Sequence, residues 1–204
     1  WTSMTPMLTA RGGFGVAVVD GKIYSIGGLT GNALPVSITE EYNPQTNEWT
    51  SKTPMPTPRS GFAITVYQNK IYVIGGSVGY GYVGNNEVYD PVSNTWETKT
   101  SMPTPRADLC ANLVNDKIYL IGGKKYSSST PFFNQTNINE VYDPANDSWS
   151  TKTPVPKPVQ GYASVVFSSK IYVMGGSLES LSLERTLLTA ATQVFDPQNE
   201  SWSL

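Results

Sequence analysis

The chain has 204 residues, 39% of them hydrophobic and 15% charged, with 18 Gly, 15 Pro and a formal net charge of −2. A pI near 5.2 argues against a nucleic-acid binder, which needs a basic surface. No apolar run approaches the roughly 18 residues of a membrane span. There is no His, so the commonest metal ligand and acid–base group is missing, and the single Cys110 excludes an internal disulfide.

In chain order, Trp1 comes first, ahead of a Pro- and Met-containing stretch. It reads as the closing residue of a repeat that is otherwise absent, in a processed or excised chain. An apolar strand follows at about 13–19, then Asp20-Gly21, a hairpin signal, and a second strand at 22–26 ending in Gly27-Gly28. A loop leads to a third strand at 38–42. Asn43-Pro44 opens a turn, and a fourth strand at 48–51 carries Trp49. The same sentence is then written three more times.

The spacing works as a ruler. Each of Trp1, Trp49, Trp96 and Trp149 is followed after 27 residues by the second Gly of a Gly-Gly pair (Gly28, Gly76, Gly123, Gly176). Each of Tyr42, Tyr89, Tyr142 and Phe195 is followed after 7 residues by a Trp. Only the distance from Gly-Gly to that aromatic varies, at 14, 13, 19 and 19 residues. In a repeat architecture the constant segment is scaffold, and the variable one is a loop on one face, often the binding face.

A four-stranded sheet of this kind buries both faces only by stacking on its neighbours around an axis, which gives a β-propeller. The Gly-Gly doublet, the Tyr, the Trp, Pro58-Arg59, Pro105-Arg106, Tyr89-Asp90-Pro91 and Tyr142-Asp143-Pro144 together resemble the Kelch repeat. The resemblance covers essentially the whole chain. It implies an all-β propeller of four-stranded antiparallel blades over residues 1–204, with blades at about 11–51, 59–98, 106–151 and 159–204. Such rings usually hold more blades, so the four are expected to be part of a larger array or assembly, self-association completing the propeller included. The first strand of each blade is expected innermost, and Trp49, Trp96 and Trp149 are expected to be largely buried between blades.

Ten of the 14 basic residues sit at repeat positions. Arg11, Arg59 and Arg106 lose their counterpart in the fourth blade, which has Val159. The same blade replaces Glu40, Glu87 and Glu140 with Gln193. This joint loss predicts an Arg–Glu pair inside each of the first three blades. Lys52, Lys99 and Lys152 recur on the outer strand, where Lys guards against edge-to-edge pairing. The four basic residues off the pattern are Lys124, Lys125, Lys157 and Arg185. In Kelch domains the loops after the second strand and the inter-blade linkers emerge on one face, which puts all four there.

That face carries the candidate partner-binding residues Tyr80, Tyr82, Lys124, Lys125, Tyr126, Phe132, Phe133, Lys157 and Arg185, together with Asp108. Tyr gives large contact area at low entropic cost, and the Gly and Asn beside it let a loop adapt. Asp108 replaces Gly13, Gly61 and Gly161 near the channel mouth, but one carboxylate makes no metal site. The leucines of the fourth loop (Leu178, Leu181, Leu183, Leu187, Leu188) are expected on a short helix covering the blade. Cys110, at the place of Gly15, Ala63 and Ala163, reads as a small buried residue. The Gly-Gly pairs are strand-end geometry, since they lack the Lys-Ser/Thr and following helix of a phosphate loop.

The expected function is a non-enzymatic module that recognises a protein partner through this face, with no cofactor and no metal. Copper oxidases of Kelch architecture need His ligands, which this chain does not have. A metal-free mutarotase needs a convergent acid–base pair, and only Asp108 and the repeat glutamates are available. An extracellular carbohydrate-binding or adhesion propeller is the alternative, favoured by the low charge, the 42 Ser and Thr and the Pro-Met-Pro-Thr-Pro linker at 54–58. Those features tilt the expected location toward the cell surface. Sequons at Asn134, Asn146 and Asn199 occur at about chance frequency and decide nothing.

Overall fold

The computed structural model describes residues 1–126, 133–182 and 185–204. The first blade is β1 (Gly15–Val19), β2 (Lys22–Ile26), β3 (Thr39–Asn43) and β4 (Glu48–Lys52). The second is β5 (Ala63–Tyr67), β6 (Lys70–Ile74), β7 (Asn86–Asp90) and β8 (Thr95–Lys99). In the third, β9 (Ala111–Val114) and β10 (Lys117–Ile121) precede a hairpin, β11 (Lys124–Tyr126) and β12 (Phe133–Gln135), and then β13 (Asn139–Asp143) and β14 (Ser148–Thr151). The fourth has β15 (Ala163–Phe167), β16 (Lys170–Met174), the hairpin β17 (Ser177–Ser182) and β18 (Arg185–Leu188), then β19 (Thr192–Asp196) and β20 (Ser201–Ser203). Each blade is a four-stranded antiparallel meander, in the order β1-β2-β3-β4 and its equivalents.

The tight turns explain themselves chemically. Each first hairpin turns through two residues at positive φ, Asp20-Gly21, Gln68-Asn69, Asn115-Asp116 and Ser168-Ser169, the turn whose twist matches the strands. The turn between third and fourth strands ends on Asn47, Asn94, Asp147 or Glu200, also at positive φ. In three blades its side chain does a second job. The Oδ1 atoms of Asn47, Asn94 and Asp147 accept the hydroxyls of Tyr42, Tyr89 and Tyr142 at 2.8, 2.7 and 2.6 Å. The same atoms accept the amides of Thr5, Thr53 and Thr100 in the preceding linker.

The core lies between blades. The largest contiguous cluster of the first joint joins Ala17, Val19, Tyr24 and Ile26 to Phe62, Ile71, Val73 and Tyr89. The second joins Ala63, Tyr72 and Ile74 to Leu109, Ile118, Leu120 and Tyr142. The third joins Val114, Tyr119 and Ile121 to Tyr162, Ile171, Val173 and Phe195, with Cys110 partly buried against it. Fully burying one such side chain is worth about 1.5–3 kcal/mol, so each joint is a core in its own right. Strands β1, β5, β9 and β15 lie against one another in succession, which makes the first strand of each blade innermost. The Gly-Gly pairs are needed because the next blade passes close by. A Cβ on Gly27 would stand 2.7 Å from the Arg59 carbonyl oxygen, and Gly27 and Gly28 both have positive φ.

Three expectations need correction. The Trp residues are half-buried rather than enclosed; the buried aromatic is the Tyr or Phe, and each Trp ring leans on it at about 5 Å between centroids. The indole N–H of Trp49, Trp96, Trp149 and Trp202 donates to a carbonyl of Thr5, Thr53, Thr100 or Thr153, so the Trp staples the linker to the outer strand. The fourth loop is a β-hairpin, not a helix, and Leu187 and Leu188 are exposed rather than covering the blade. Finally, the first strand is not buried on both faces in every blade: Val16 and Val18 of β1 and most of β15 are exposed, while β5 and β9 are buried or half-buried throughout.

Candidate functional site

The Arg–Glu pairs form as expected. Arg11 reaches Glu40 at 2.6 Å, Arg59 reaches Glu87 at 2.7 Å, and Arg106 pairs with Glu140. Every pair is buried. Arg106 also donates to the carbonyls of Thr104, Leu120 and Gly122, so the guanidinium fixes the linker and the end of the second strand to the third. Burial pulls the Arg59 and Arg106 guanidiniums down from their ordinary value, with Glu87 and Glu140 opposing. In the fourth blade Gln193 accepts from the Lys157 amide at 2.8 Å and donates to the Lys157 carbonyl at 3.0 Å, while Val159 is simply buried.

The other repeat-position bases are equally occupied. Lys22 and Lys52 pair with Glu41, Lys70 with Asp90, Lys117 with Asp143, Lys170 with Asp196, Lys99 with Glu97 and Lys152 with Glu200. One further ion pair joins two residues off the repeat pattern: Lys124 Nζ lies 2.6 Å from Asp108 Oδ2.

That pair lies on the loop face. Each loop after the second strand is pinched shut by a backbone bond, Val36 N to Gly28 O, Val83 N to Gly76 O, Thr136 N to Gly123 O and Thr189 N to Gly176 O, at 2.9–3.0 Å. The tips so enclosed are residues 29–35, 77–82, 124–135 and 177–188. From pinch to aromatic the spacing is constant, so all length variation lies in the tips. The linkers join the same face, because Met55, Met102 and Val155 donate their amides to Ser37, Gly84 and Asn137 at the loop bases.

Tyr82, Asp108 and Lys124 come together there. The Lys124 ammonium sits 5.8 Å from the centre of the Tyr82 ring, and burial, then the Asp108 charge, push the Tyr82 phenol well above its ordinary value. Asp108 holds a positive φ of 56°, and its backbone continues a chain of bonds around the axis: Gly61 N to Gly13 O, Asp108 N to Gly61 O, Gly161 N to Asp108 O. Tyr80 is fully exposed, and Lys125, Tyr126 and Lys157 are exposed. Tyr126 and Phe133 pair across the hairpin β11–β12, and Arg185 lies in β18. Phe132 lies outside the described residues. Leu34, Val78, Leu187 and Leu188 also stand exposed at the tips, and spacing alone gave no reason to choose them. On the opposite face, formed by the other turns, Val92 is the exposed large apolar side chain among the described residues. No group of three or more His, Cys, Asp and Glu positioned to hold a metal occurs among the described residues, and no helix long and apolar enough to cross a membrane occurs among them.

Four-stranded blades stacked around an axis, with variable tips on one face, define a β-propeller. The chain belongs to the Kelch-repeat family: the family described as the KLHDC2/KLHL20/DRC7 Kelch-repeats domain matches residues 13–204. Mouse Kelch-like protein 35 is 32% identical over 65 residues, which is 32% of this chain and 10% of that protein. The chain thus matches about a tenth of that relative's length. The solved structure described as "Structure of YjhT" superposes over the whole chain with a TM-score of 0.85 at 20% identity, covering 73% of its own length. That likeness is one of fold.

Proposed function

We propose that the chain is a non-catalytic binding module that recognises a protein partner through its loop-tip and linker face. Kelch-repeat propellers are commonly protein-interaction modules, and the observation that carries the reading for this chain is the distribution of exposed apolar side chains. Leu34, Val78, Tyr80, Tyr126, Leu187 and Leu188 all stand at the variable tips, whereas among the described residues of the opposite turns Val92 is the exposed large apolar one. Exposed apolar clusters rimmed by polar groups mark interaction sites, and aromatic residues are the usual energetic centres of interfaces. Against catalysis stands the state of the carboxylates among the described residues: Glu40, Glu87 and Glu140 hold Arg residues, and Asp108 holds Lys124.

The test is photo-crosslinking with a reactive phenylalanine analogue placed at Tyr80 or at Val92. A discrete protein adduct formed from position 80 and absent from position 92 supports the reading. Adducts only from position 92, or binding only to a glycan array, overturn it.

A further inference from the structure

In the first blade one buried carboxylate collects three donors. Glu41 takes Lys22 Nζ at 2.8 Å, the Tyr24 hydroxyl at 2.7 Å and Lys52 Nζ at 3.1 Å. The third blade keeps all three donors as Lys117, Tyr119 and Lys152, in the same register: Tyr119 lies opposite Val141 as Tyr24 lies opposite Glu41. Ser150 faces Val141 on its other side, where the second blade has Glu97 facing Val88. The third blade therefore has a carboxylate at neither place. The second and fourth blades cover the matching tyrosine with a ring from the first strand, Tyr67 at 6.2 Å from Tyr72 and Phe167 at 6.4 Å from Tyr172. In the third blade that place holds the shorter Val114. What is left is a cleft of about 360 Å³ lined by Lys117, Tyr119, Lys152, Val141 and Trp149. It lies beside the joint to the fourth blade, where Phe195 faces Tyr119 without a hydroxyl of its own. Among the described residues the Tyr119 hydroxyl has no hydrogen-bond partner. Burial raises this phenol above its ordinary value, and Lys152, Glu200 and Lys117 are the charges that act on it, so it stays a protonated donor.

We infer that this cleft binds an external carboxylate, its two oxygens standing where those of Glu41 stand in the first blade. One oxygen meets Lys117, the other meets the Tyr119 hydroxyl and Lys152, and the body of the ligand rests on Val141 and Trp149. Lys117 already pairs with Asp143 and Lys152 with Glu200, but an ammonium has three N–H donors, and one pair leaves two of them. The two pairs make the site neutral before the ligand arrives, so its affinity for a small acid is modest, about 1 mM. The volume falls at the small end of ligand pockets, which run from about 300 to 1,000 Å³. That size fits a small organic acid or one acidic side chain of a partner. Asp143 and Ser148 flank the turn opposite the loop tips, so this site is independent of the proposed partner face.

The test is an NMR titration of the chain's amides with benzoate, with N-acetylglutamate N-methylamide and with neutral benzamide. At least one of the two acids should give saturable shifts at Tyr119, Val141 and Ser150, and benzamide should give none. Saturation by benzoate alone supports the site with a free acid as its ligand; saturation by the blocked glutamate supports it with a partner's side chain. Val141→Glu, which builds in the carboxylate of the first blade, should abolish the shifts at Tyr119 and Ser150. Tyr119→Phe, which keeps the ring against Phe195, should weaken binding about tenfold or more. The proposal is overturned if neither acid saturates, if benzamide binds as well as the acids, or if Tyr119→Phe binds like the native chain. A Val141→Glu variant that keeps the native melting temperature and still binds also overturns it.

Discussion

In the third blade Arg106 and Glu140 face each other across the entry to the sheet, and in the fourth the same two places hold Val159 and Gln193. Tyr142 and Asp147 are likewise bonded in the third blade, where the fourth has Phe195 and Glu200. The third blade solves burial with charge: Arg106 satisfies three carbonyls and one carboxylate in a site without solvent. The fourth makes one side neutral and apolar and lets the Gln193 amide bond both backbone groups of Lys157. Either set is self-consistent, and a mixture of the two leaves a buried charge or a buried polar group without its partner. This is why the residues change together, and why their joint absence from one repeat is informative.

The largest expected effect comes from mixing the sets. Arg106→Val alone leaves Glu140 charged and buried, and should cost about 3–5 kcal/mol in urea unfolding. Adding Glu140→Gln, which recreates the fourth blade's arrangement, should recover much of that loss. A double variant no better than the single one would mean that the surrounding backbone, not the pair, sets the choice. Next in size is the loop-tip prediction. Tyr80→Ala should weaken the crosslinked partner by about 1–4 kcal/mol if that side chain is an interface centre, as read by titration calorimetry, with an unchanged melting temperature because loop tips hold few core contacts.

Acid sensitivity sharpens the comparison further. The hydrogen bond from Tyr142 holds the Asp147 carboxyl below the usual range, helped by the Thr100 amide and opposed by slight burial. A lowered folded pKa means stability present above the unfolded value of about 3.9 and lost as pH falls through the folded value. Asp147→Asn, which copies Asn47 and Asn94, should therefore reduce the loss of melting temperature below about pH 4 while changing little at neutral pH. The smallest effect lies in the first hairpin turn of the fourth blade, where Ser168 and Ser169 both hold positive φ. Ser169→Gly should raise stability by up to about 1 kcal/mol, since Gly takes that conformation without strain.

Much of this was legible in the sequence because repeats provide internal controls. Ten basic residues obeyed the ruler, and all ten lie in ion pairs within the scaffold; the Arg–Glu contacts followed from their shared absence. Elsewhere the controls were silent. Tyr and Trp recur with equal regularity, so spacing did not say that the Tyr is enclosed while the Trp sits half-open on the outer strand. The fourth loop's leucines suit a helix by composition, but its ends are pinned by Thr189 to Gly176 and by the Gln160–Ser177 bridge, and two chains held that close run on as a hairpin. The Asp108–Lys124 pair had a signal that went unused. The residue after each Arg position bridges the residue after each Gly-Gly, as in Ala107–Lys124, so opposite charges off the pattern at these neighbouring places were bound to meet.

The claim that constant segments build the fold while the tips bind is tested most directly by hydrogen–deuterium exchange on the complex with the crosslinked partner. The account predicts slowed exchange at the amides of Val78–Gly81 and Lys125–Tyr126, with no change at Val92–Ser93. Protection confined to Val92–Ser93 and the first hairpin turns, with the tips exchanging as in the free chain, would contradict it.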